Sequence, residues 1–216
     1  MFFILCAVIF ICAQVPVRGQ STGNAEMNKI QWGLRGGLNL SNTNTGFGTG
    51  STFRDPSFKL GLLGGITMQV PLNEALRIQP EINLSSEGAL QEGLIGNVND
   101  NKYVLVFTTQ LSFLNIPVML QYNKGKGFYA ETGPQLGILL QARLKNAFPA
   151  AGAASETEIS DTKNAVMSWA SGIGYQFEGR TGIGLRYTLG LANYTEGVST
   201  QKVNTLQLLL HYRLSK

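Results

Sequence analysis

The feature that most constrains the fold of this chain is an alternation of apolar and polar residues with a period of two. In the segment WGLRGGLNL (32–40), the even positions are apolar and the odd positions carry Gly33, Arg35, Gly37 and Asn39. Side chains of a β-strand alternate between the two faces of a sheet, so this pattern predicts an amphipathic strand. The pattern recurs in seven further segments: 58–70, 76–84, 112–122, 128–140, 167–177, 183–191 and 206–214. Each is close to the ~9–11 residues that a tilted strand needs to cross a bilayer.

One face of these eight segments is free of charge. The more apolar parity of each segment gives 46 positions, none of them charged, and only Ser112, Thr132 and Ser171 are polar. Charged residues make up 14% of the chain, so about six would be expected in an unselected set of that size. The eight predicted strands therefore present one continuous apolar surface.

The opposite face is polar and rich in glycine. We predict that its charged and titratable members form a polar network inside a barrel: Arg35, Lys59, Arg77, Glu81, Glu131, Arg186, His211 and Arg213. A soluble sandwich or a lipocalin-like barrel would turn its apolar face inward instead, and periodicity alone does not separate these alternatives. The glycines on the polar face separate these alternatives, because a narrow barrel needs small residues where long side chains cross its lumen. They stand at 33, 37, 61, 65, 133, 137, 172, 174, 184 and 190.

The connections between the predicted strands alternate strictly in length. Short links at 71–75, 123–127 and 178–182 are built from turn-forming residues. Long links fall at 41–57, 85–111, 141–166 and 192–205. This alternation is typical of an all-β, eight-stranded antiparallel up-and-down transmembrane β-barrel, with short periplasmic turns and longer extracellular loops. Aromatic residues that favour the headgroup layer stand beside the short turns: Trp32, Tyr122, Phe128, Phe177 and Tyr212.

The N-terminus has the pattern of a secretory signal peptide. Residues 1–13 (MFFILCAVIFICA) are apolar but too short to span a membrane. Val17 and Gly19 satisfy the small-residue rule for cleavage before Gln20. The expected organisation is a signal peptide (1–19), a short N-terminal periplasmic segment (20–30) and the barrel domain (31–216), in the bacterial outer membrane. Cys6 and Cys12 leave with the signal peptide, so disulfides and thiol chemistry are excluded in the mature chain.

Five segments together resemble those of a known family: GLRGGLNLSN (33–42), IQPEINLSSEG (78–88), FLNIPVMLQY (113–122), GFYAETGPQLGILLQA (127–142) and GIGLRYTLGLANY (182–194). In these segments the chain is similar to the outer-membrane β-barrel proteins of Bacteroidota known as the PorT family, which carry an outer membrane protein beta-barrel domain. The resemblance covers the mature chain in order, and it implies an outer-membrane barrel.

Catalytic constellations are scarce. His211 is the chain's one histidine, and as a base it needs a nucleophile, for which Ser168 and Thr188 are the candidates across the lumen. Glu81 and Glu131 are a conceivable acid and base pair, although the inward cations offer ion pairing as a simpler role. No metal-ligand spacing, phosphate loop or basic stripe for nucleic acid is present, so no cofactor is expected. In the long loops, Asp100, Glu156, Glu158 and Asp161 either bridge lipopolysaccharide through divalent ions or are solvated charges.

These observations favour a non-enzymatic barrel with a plugged polar lumen and a structural, accessory or surface-interaction role, because eight strands leave room only for side chains. The expected partners are outer-membrane lipid and lipopolysaccharide, the barrel-assembly machinery during biogenesis, and an unidentified protein. Two alternatives stay open. One is an accessory factor of protein secretion or assembly, as the PorT resemblance implies, and the other is an outer-membrane lipid-modifying enzyme.

Overall fold

The computed structural model describes residues 29–45, 57–98, 101–125, 127–148, 153–159, 163–195 and 201–214. The expected signal peptide, with Cys6 and Cys12, and residues 20–28 of the expected periplasmic segment lie outside this part of the chain and stay predictions. Within the described residues, no helix is long and apolar enough to cross a membrane.

The described chain is built from antiparallel strands. In order they are β1 (Gln31–Thr45), β2 (Ser57–Pro71), β3 (Leu76–Val98), β4 (Asn101–Lys124), β5 (Phe128–Phe148), β6 (Ala153–Glu158), β7 (Ala165–Gln176), β8 (Thr181–Gly190) and β9 (Gln201–Arg213). Hydrogen bonding follows the order β4-β3-β2-β1-β9-β8-β7-β5, and β4 also pairs with β5, which closes the ring. β6 lies outside the ring and pairs with β5. The predicted eight-stranded antiparallel barrel is confirmed.

The two faces of the barrel differ as the alternation predicts. On the outer face, Leu62 is 67% exposed and Ile173 is 65% exposed, whereas Arg186 in the lumen is 1% exposed. The glycines that were predicted to face inward lie on the lumen wall at positions where atoms of neighbouring residues come close. A Cβ added at Gly184, for example, would stand 2.8 Å from the hydroxyl oxygen of Tyr129. The apolar face is therefore the outer one, which excludes a lipocalin-like arrangement.

The three short turns lie at one end of the barrel, as predicted. The β2–β3 turn is held by Asn73, whose Oδ1 accepts hydrogen bonds from the backbone N–H groups of Ala75 and Leu76 at 2.9 and 2.8 Å. In the β4–β5 turn, Gly125 and Gly127 have φ values of 37° and 89°, which favour glycine. The outer face at this end carries half-exposed aromatic rings, among them Trp32 and Tyr122 at 50%.

The prediction of a long loop at 85–111 was wrong. β3 runs through to Val98 and β4 starts at Asn101, so these residues form a hairpin with continuous pairing from Leu84↔Leu114 to Val98↔Asn101, interrupted by one irregularity. The segment contains Gly88, Gly93, Gly96, Asn97 and Asn101, residue types that are depleted in strands. Backbone pairing between the two strands outweighs those weak local preferences. The expected loop at 141–166 is likewise shortened, because β5 continues to Phe148 and β6 pairs beside it.

These extensions form a small sheet that projects from the barrel on the long-loop side. We call it the projecting sheet, and it consists of residues 91–98 of β3, 101–110 of β4, 143–148 of β5, and β6. Among the described residues, β2 pairs with β3 as far as Ser57↔Leu90, and beyond that point the described partners of β3 belong to β4. β4 has 24 residues, whereas a crossing needs ~9–11. From this excess length we expect the projecting sheet to lie beyond the membrane surface.

An apolar cluster closes the barrel beneath this sheet. It consists of Leu111, Phe113, Ala142 and Tyr194, all buried. Tyr194, in the β8–β9 connection, is fixed by its backbone, because its N–H donates to the carbonyl of Gln201 at 3.1 Å and its carbonyl accepts from the N–H of Lys163 at 2.8 Å. These side chains occupy the extracellular end of the lumen beside a small cavity that is lined by Glu87, Phe113 and Tyr194.

Candidate functional site

The centre of the lumen holds a cluster of four ionised side chains from four different strands. Arg35 of β1 and Arg186 of β8 face Glu81 of β3 and Glu131 of β5, because all four have inward parity. Arg35 Nη1 lies 2.5 Å from Glu81 Oε1. Arg186 Nη2 lies 2.8 Å from Glu81 Oε1 and 2.6 Å from Glu131 Oε1. These contacts make Arg186 the bridge between the two carboxylates.

This central cluster is balanced in charge and almost fully buried. No side chain in its ion pairs is more than 2% exposed. Glu81 also accepts hydrogen bonds from Gln79 Nε2 at 2.6 Å and Asn83 Nδ2 at 2.9 Å. A buried carboxylate with this many donors is held in its ionised form as a structural anion. The expected ion-pair role of Glu81 and Glu131 therefore fits the geometry better than an acid and base pair.

A second cluster lies nearer the extracellular end, around Glu87. Its carboxylate accepts hydrogen bonds from Ser85 Oγ at 2.6 Å, Asn115 Nδ2 at 3.0 Å and Thr205 Oγ1 at 3.1 Å. The ammonium of Lys59 donates to the backbone carbonyl of Glu87 at 3.2 Å. Glu87 was missed by the sequence analysis, because it lies three residues beyond the predicted end of β3. Glu87 has an odd residue number, as the inward-facing Glu81 does, and this shared parity could have predicted its inward position from the sequence.

The three remaining residues of the predicted polar network are Arg77, His211 and Arg213. They lie at the periplasmic end, apart from the two clusters. His211 Nε2 lies 2.5 Å from Gln176 Oε1, and its ring meets that of Tyr129 edge-on, with centroids 5.9 Å apart. Arg213 donates from Nη2 to the carbonyl of Gly179 at 2.6 Å. Arg77 is half-buried at the second position of β3. None of these three has an ion pair with a described carboxylate.

The structure does not bring His211 near its candidate nucleophiles. His211 pairs with Gly182 at the start of β8, whereas Ser168 pairs with Gly190 at the end of β8. Eight residues of strand correspond to about 26 Å at ~3.3 Å per residue. Thr188 lies two residues closer, which still leaves about 20 Å. Neither hydroxyl can transfer a proton to this imidazole.

The structure describes two of the four acidic residues that the sequence analysis singled out in the long loops. Glu156 on β6 pairs with Arg143 at 2.9 Å and with Lys145 at 3.6 Å, and Glu158 is exposed on the same strand. Asp100 and Asp161 lie outside the described residues. Across the residues that the structure describes, no group of three His, Cys, Asp or Glu is placed to hold a metal ion.

Comparison with known proteins assigns the family of this chain. The sequence matches the family described as "Outer membrane protein beta-barrel domain" over residues 13–196. Among solved structures, Ail of Yersinia pestis is similar at 10% identity and a TM-score of 0.48, covering 86% of this chain and 99% of that chain. OprG of Pseudomonas aeruginosa is similar at 12% identity and a TM-score of 0.40, covering 86% and 96%. Neisserial surface protein A gives 9% identity and 0.44, covering 84% and 96%. No curated protein matches the sequence.

Proposed function

Because the chain belongs to the family of the outer membrane protein beta-barrel domain, we propose that it is a plugged barrel of the bacterial outer membrane that acts through its extracellular surface. The observation that carries this proposal is the projecting sheet, in which β3, β4, β5 and β6 stay paired beyond the described β2–β3 pairing, on the long-loop side of the barrel. Ordered backbone outside the membrane offers a binding surface that is positioned by the barrel beneath it.

The lumen supports the same proposal by its contents. The central cluster and the apolar cluster at Tyr194 both lie across the route that a solute would take. Moving one of these charges aside would leave its partner buried without compensation, at a cost of several kcal/mol. A barrel filled in this way is a poor pore. Its extracellular surface is therefore the better candidate for the functional part of the molecule.

The proposal is non-enzymatic. It is supported by the distance between His211 and the hydroxyls of Ser168 and Thr188, and by the engagement of both central carboxylates in ion pairs. Turnover of a lipid substrate by the purified protein, lost in His211→Ala or Ser168→Ala and kept in the outer-face variant Ser171→Ala, would establish the lipid-modifying enzyme instead.

A more specific assignment is the PorT family of Bacteroidota, with a role in protein secretion or assembly. The edge strand β6 favours such a role, because in the described chain it pairs on one side only, with β5. The unpaired backbone groups of an edge strand are a template on which a partner's strand can pair.

Crosslinking in intact outer membranes tests the surface role. The variant replaces residues 94–104 with a two-residue Asn-Gly turn between the paired residues Gly93 and Leu105, which shortens the hairpin and keeps the β4–β5 pairing. The matched control creates the same Asn-Gly dipeptide in the periplasmic turn by the single substitution Glu74→Gly after Asn73. We expect stoichiometric crosslinks to a surface partner in the wild type and the control, and their loss in the shortened variant. Equal crosslinking by all three proteins, or none by the wild type, would reject the surface role. A partner from a secretion complex would favour the PorT-like function.

A separate experiment tests whether the protein is located in the outer membrane. The folded barrel should migrate faster than the boiled protein on a detergent gel and should fractionate with the outer membrane. Recovery from the periplasm as a water-soluble protein would contradict it.

A further inference from the structure

The small cavity beside the apolar cluster is lined by polar side chains as well as by Phe113 and Tyr194. We call it the Glu87 cavity. Four strands that are neighbours in the ring, β4, β5, β7 and β8, each contribute one neutral, oxygen-bearing side chain to its lining. These residues are between 3% and 7% exposed, and they are Asn115, Gln135, Ser168 and Thr188. The cavity therefore brings several neutral oxygen atoms together beside one carboxylate.

The carboxylate of Glu87 is buried, and the described residues place no cation on its oxygen atoms. The donors that reach it from those residues are two hydroxyls and one amide, all neutral. The ammonium of Lys59 donates instead to Ser86 Oγ at 3.3 Å and to the backbone carbonyl of Glu87 at 3.2 Å. Burial of a carboxylate is unfavourable unless a positive charge lies beside it. The side of Glu87 that faces the cavity therefore favours an incoming cation.

Thr188 brings an unsatisfied hydroxyl to the same cavity. Its Oγ1 is buried with no hydrogen-bond partner among the described residues, which is unfavourable for a polar atom. Thr188 lies opposite Thr205 in the β8–β9 ladder, so the Cβ atoms of these two inward residues are about 5 Å apart. Thr205 Oγ1 donates to Glu87 Oε2 at 3.1 Å. From the described residues Oε2 accepts that bond alone, so it keeps a lone pair for a further ligand. A ligand between Thr188 and Glu87 would meet a free oxygen lone pair on each side.

The size and charge of the cavity select a small monovalent cation. Hydroxyl, amide and carboxylate oxygens are ligands of hard cations. The cavity has room for about one particle of the size of a water molecule, which excludes an organic cation. Glu87 is the one carboxylate among the described lining residues, and the Lys59 ammonium is already near it, so one positive charge suits the site better than two. A water molecule would satisfy the Thr188 hydroxyl but would leave the carboxylate without a counter-charge.

From this arrangement we propose that the Glu87 cavity binds a small monovalent cation between Glu87 Oε2 and the Thr188 hydroxyl. Further oxygen ligands come from Ser168 and from the amides of Asn115 and Gln135. Ser168 Oγ donates its proton to the backbone carbonyl of Gln135 at 3.5 Å, so its lone pairs remain available to the ion. The bound ion ties β3 to β8 across the lumen. Because the site lies inside the barrel, it stands or falls independently of the projecting sheet and of the proposed surface function.

The test uses the full chain, refolded in a non-ionic detergent, with Na⁺ as the test ion. Intrinsic fluorescence measures the thermal unfolding midpoint at increasing NaCl. Two parallel series of equal ionic strength use CaCl₂ and the chloride of N-methyl-D-glucamine, an organic cation too large for the cavity. The variants are Thr188→Val and Glu87→Gln, and the control is Thr132→Val, which removes a hydroxyl from the outer face. Heat-modifiable migration confirms that each protein is folded, and Thr188→Val, which keeps the carboxylate, carries the test if Glu87→Gln fails to fold.

A ligand that binds only the folded state raises the unfolding midpoint as its concentration rises. We expect Na⁺ to raise the midpoint of the wild type and of T132V more than the organic cation does. The apparent affinity for Na⁺ should be at least about tenfold lower in T188V and E87Q. Equal shifts with Na⁺ and the organic cation would mean charge screening with only water in the cavity, and would overturn the site. An equal Na⁺ response in all four proteins would also overturn it. Stabilisation by Ca²⁺ and not by Na⁺, lost in T188V and E87Q, would overturn the monovalent assignment.

Discussion

Arg186 on β8 donates hydrogen bonds to both carboxylate oxygens of Glu81 on β3, a residue 105 positions earlier in the chain, at 3.1 and 2.8 Å. The two strands lie on opposite sides of the ring, with β2, β1 and β9 between them along one arc. The bond therefore crosses the lumen instead of following the sheet. It ties together walls of the barrel that backbone pairing connects only indirectly.

Removing this bridge is expected to be costly. Arg186→Met leaves Glu81 and Glu131 facing each other with Arg35 as the remaining cation of the central cluster. We expect the free energy of unfolding, measured by urea titration in phospholipid vesicles, to fall by about 3–5 kcal/mol. The control is Arg143→Met, whose ion pair with Glu156 is about 40% exposed and is expected to contribute at most about 1 kcal/mol. Similar losses in the two variants would mean that the central cluster contributes no more than a surface pair.

Charge balance within the central cluster makes a separate prediction. Glu81→Gln leaves two arginines facing one carboxylate, and Arg35→Gln leaves two carboxylates facing one arginine. The double variant R35Q/E81Q restores one charge of each sign, so its loss of stability should be smaller than the sum of the single losses. We expect a coupling energy of about 1–3 kcal/mol from this double-mutant cycle. Strict additivity would show that Arg35 and Glu81 do not stabilise each other.

The lumen glycines allow a steric prediction with an internal control. A Cβ at Gly184 would meet the hydroxyl oxygen of Tyr129 at 2.8 Å, whereas its next contacts are at 3.6 Å or more. Gly184→Ala should therefore lower the free energy of unfolding by about 1–3 kcal/mol, and adding Tyr129→Phe should recover most of that loss. Gly64, whose Cβ would meet nothing closer than 4.0 Å, is the matched site. If Gly64→Ala destabilises as much as Gly184→Ala, the effect is one of the backbone and not of lumen packing.

The sequence predicted the faces of the barrel better than the ends of its strands. Period-two alternation assigned Arg186 inward and Leu62 outward correctly, because a membrane and a narrow lumen impose opposite demands on adjacent residues. The predicted strand ends at Leu84, where the alternating pattern ends, and Glu87 therefore lies outside it. Beyond the membrane, no lipid enforces the alternation, so only the pairing with β4 keeps the chain extended. Pairing between two strands is a tertiary property, so the composition of one segment alone does not predict it.

Partner choice inside the lumen could not be predicted either. Parity placed Arg35, Glu81, Glu131 and Arg186 on one face, but it assigned no heights along the barrel axis. The heights depend on the stagger between strands, for example Gly182 opposite His211 and Gly190 opposite Ser168. That stagger separates His211 from the hydroxyls that parity alone allowed it to meet.

Tyr194 makes the extracellular cap sensitive to alkaline pH. Burial raises the pKa of the Tyr194 phenol from 10.0 to about 12. Between those values the unfolded chain loses this proton while the folded chain keeps it, so the unfolded state is favoured as the pH rises. The stabilising contribution is present in full below pH 10 and is lost by about pH 12. Tyr194→Phe removes the titrating group and keeps the ring against Leu111 and Phe113, so the free energy of unfolding of the wild type should fall more steeply than that of the variant between pH 10 and pH 12. Parallel pH profiles for the two proteins would show that the phenol is as solvated in the folded barrel as in the unfolded chain.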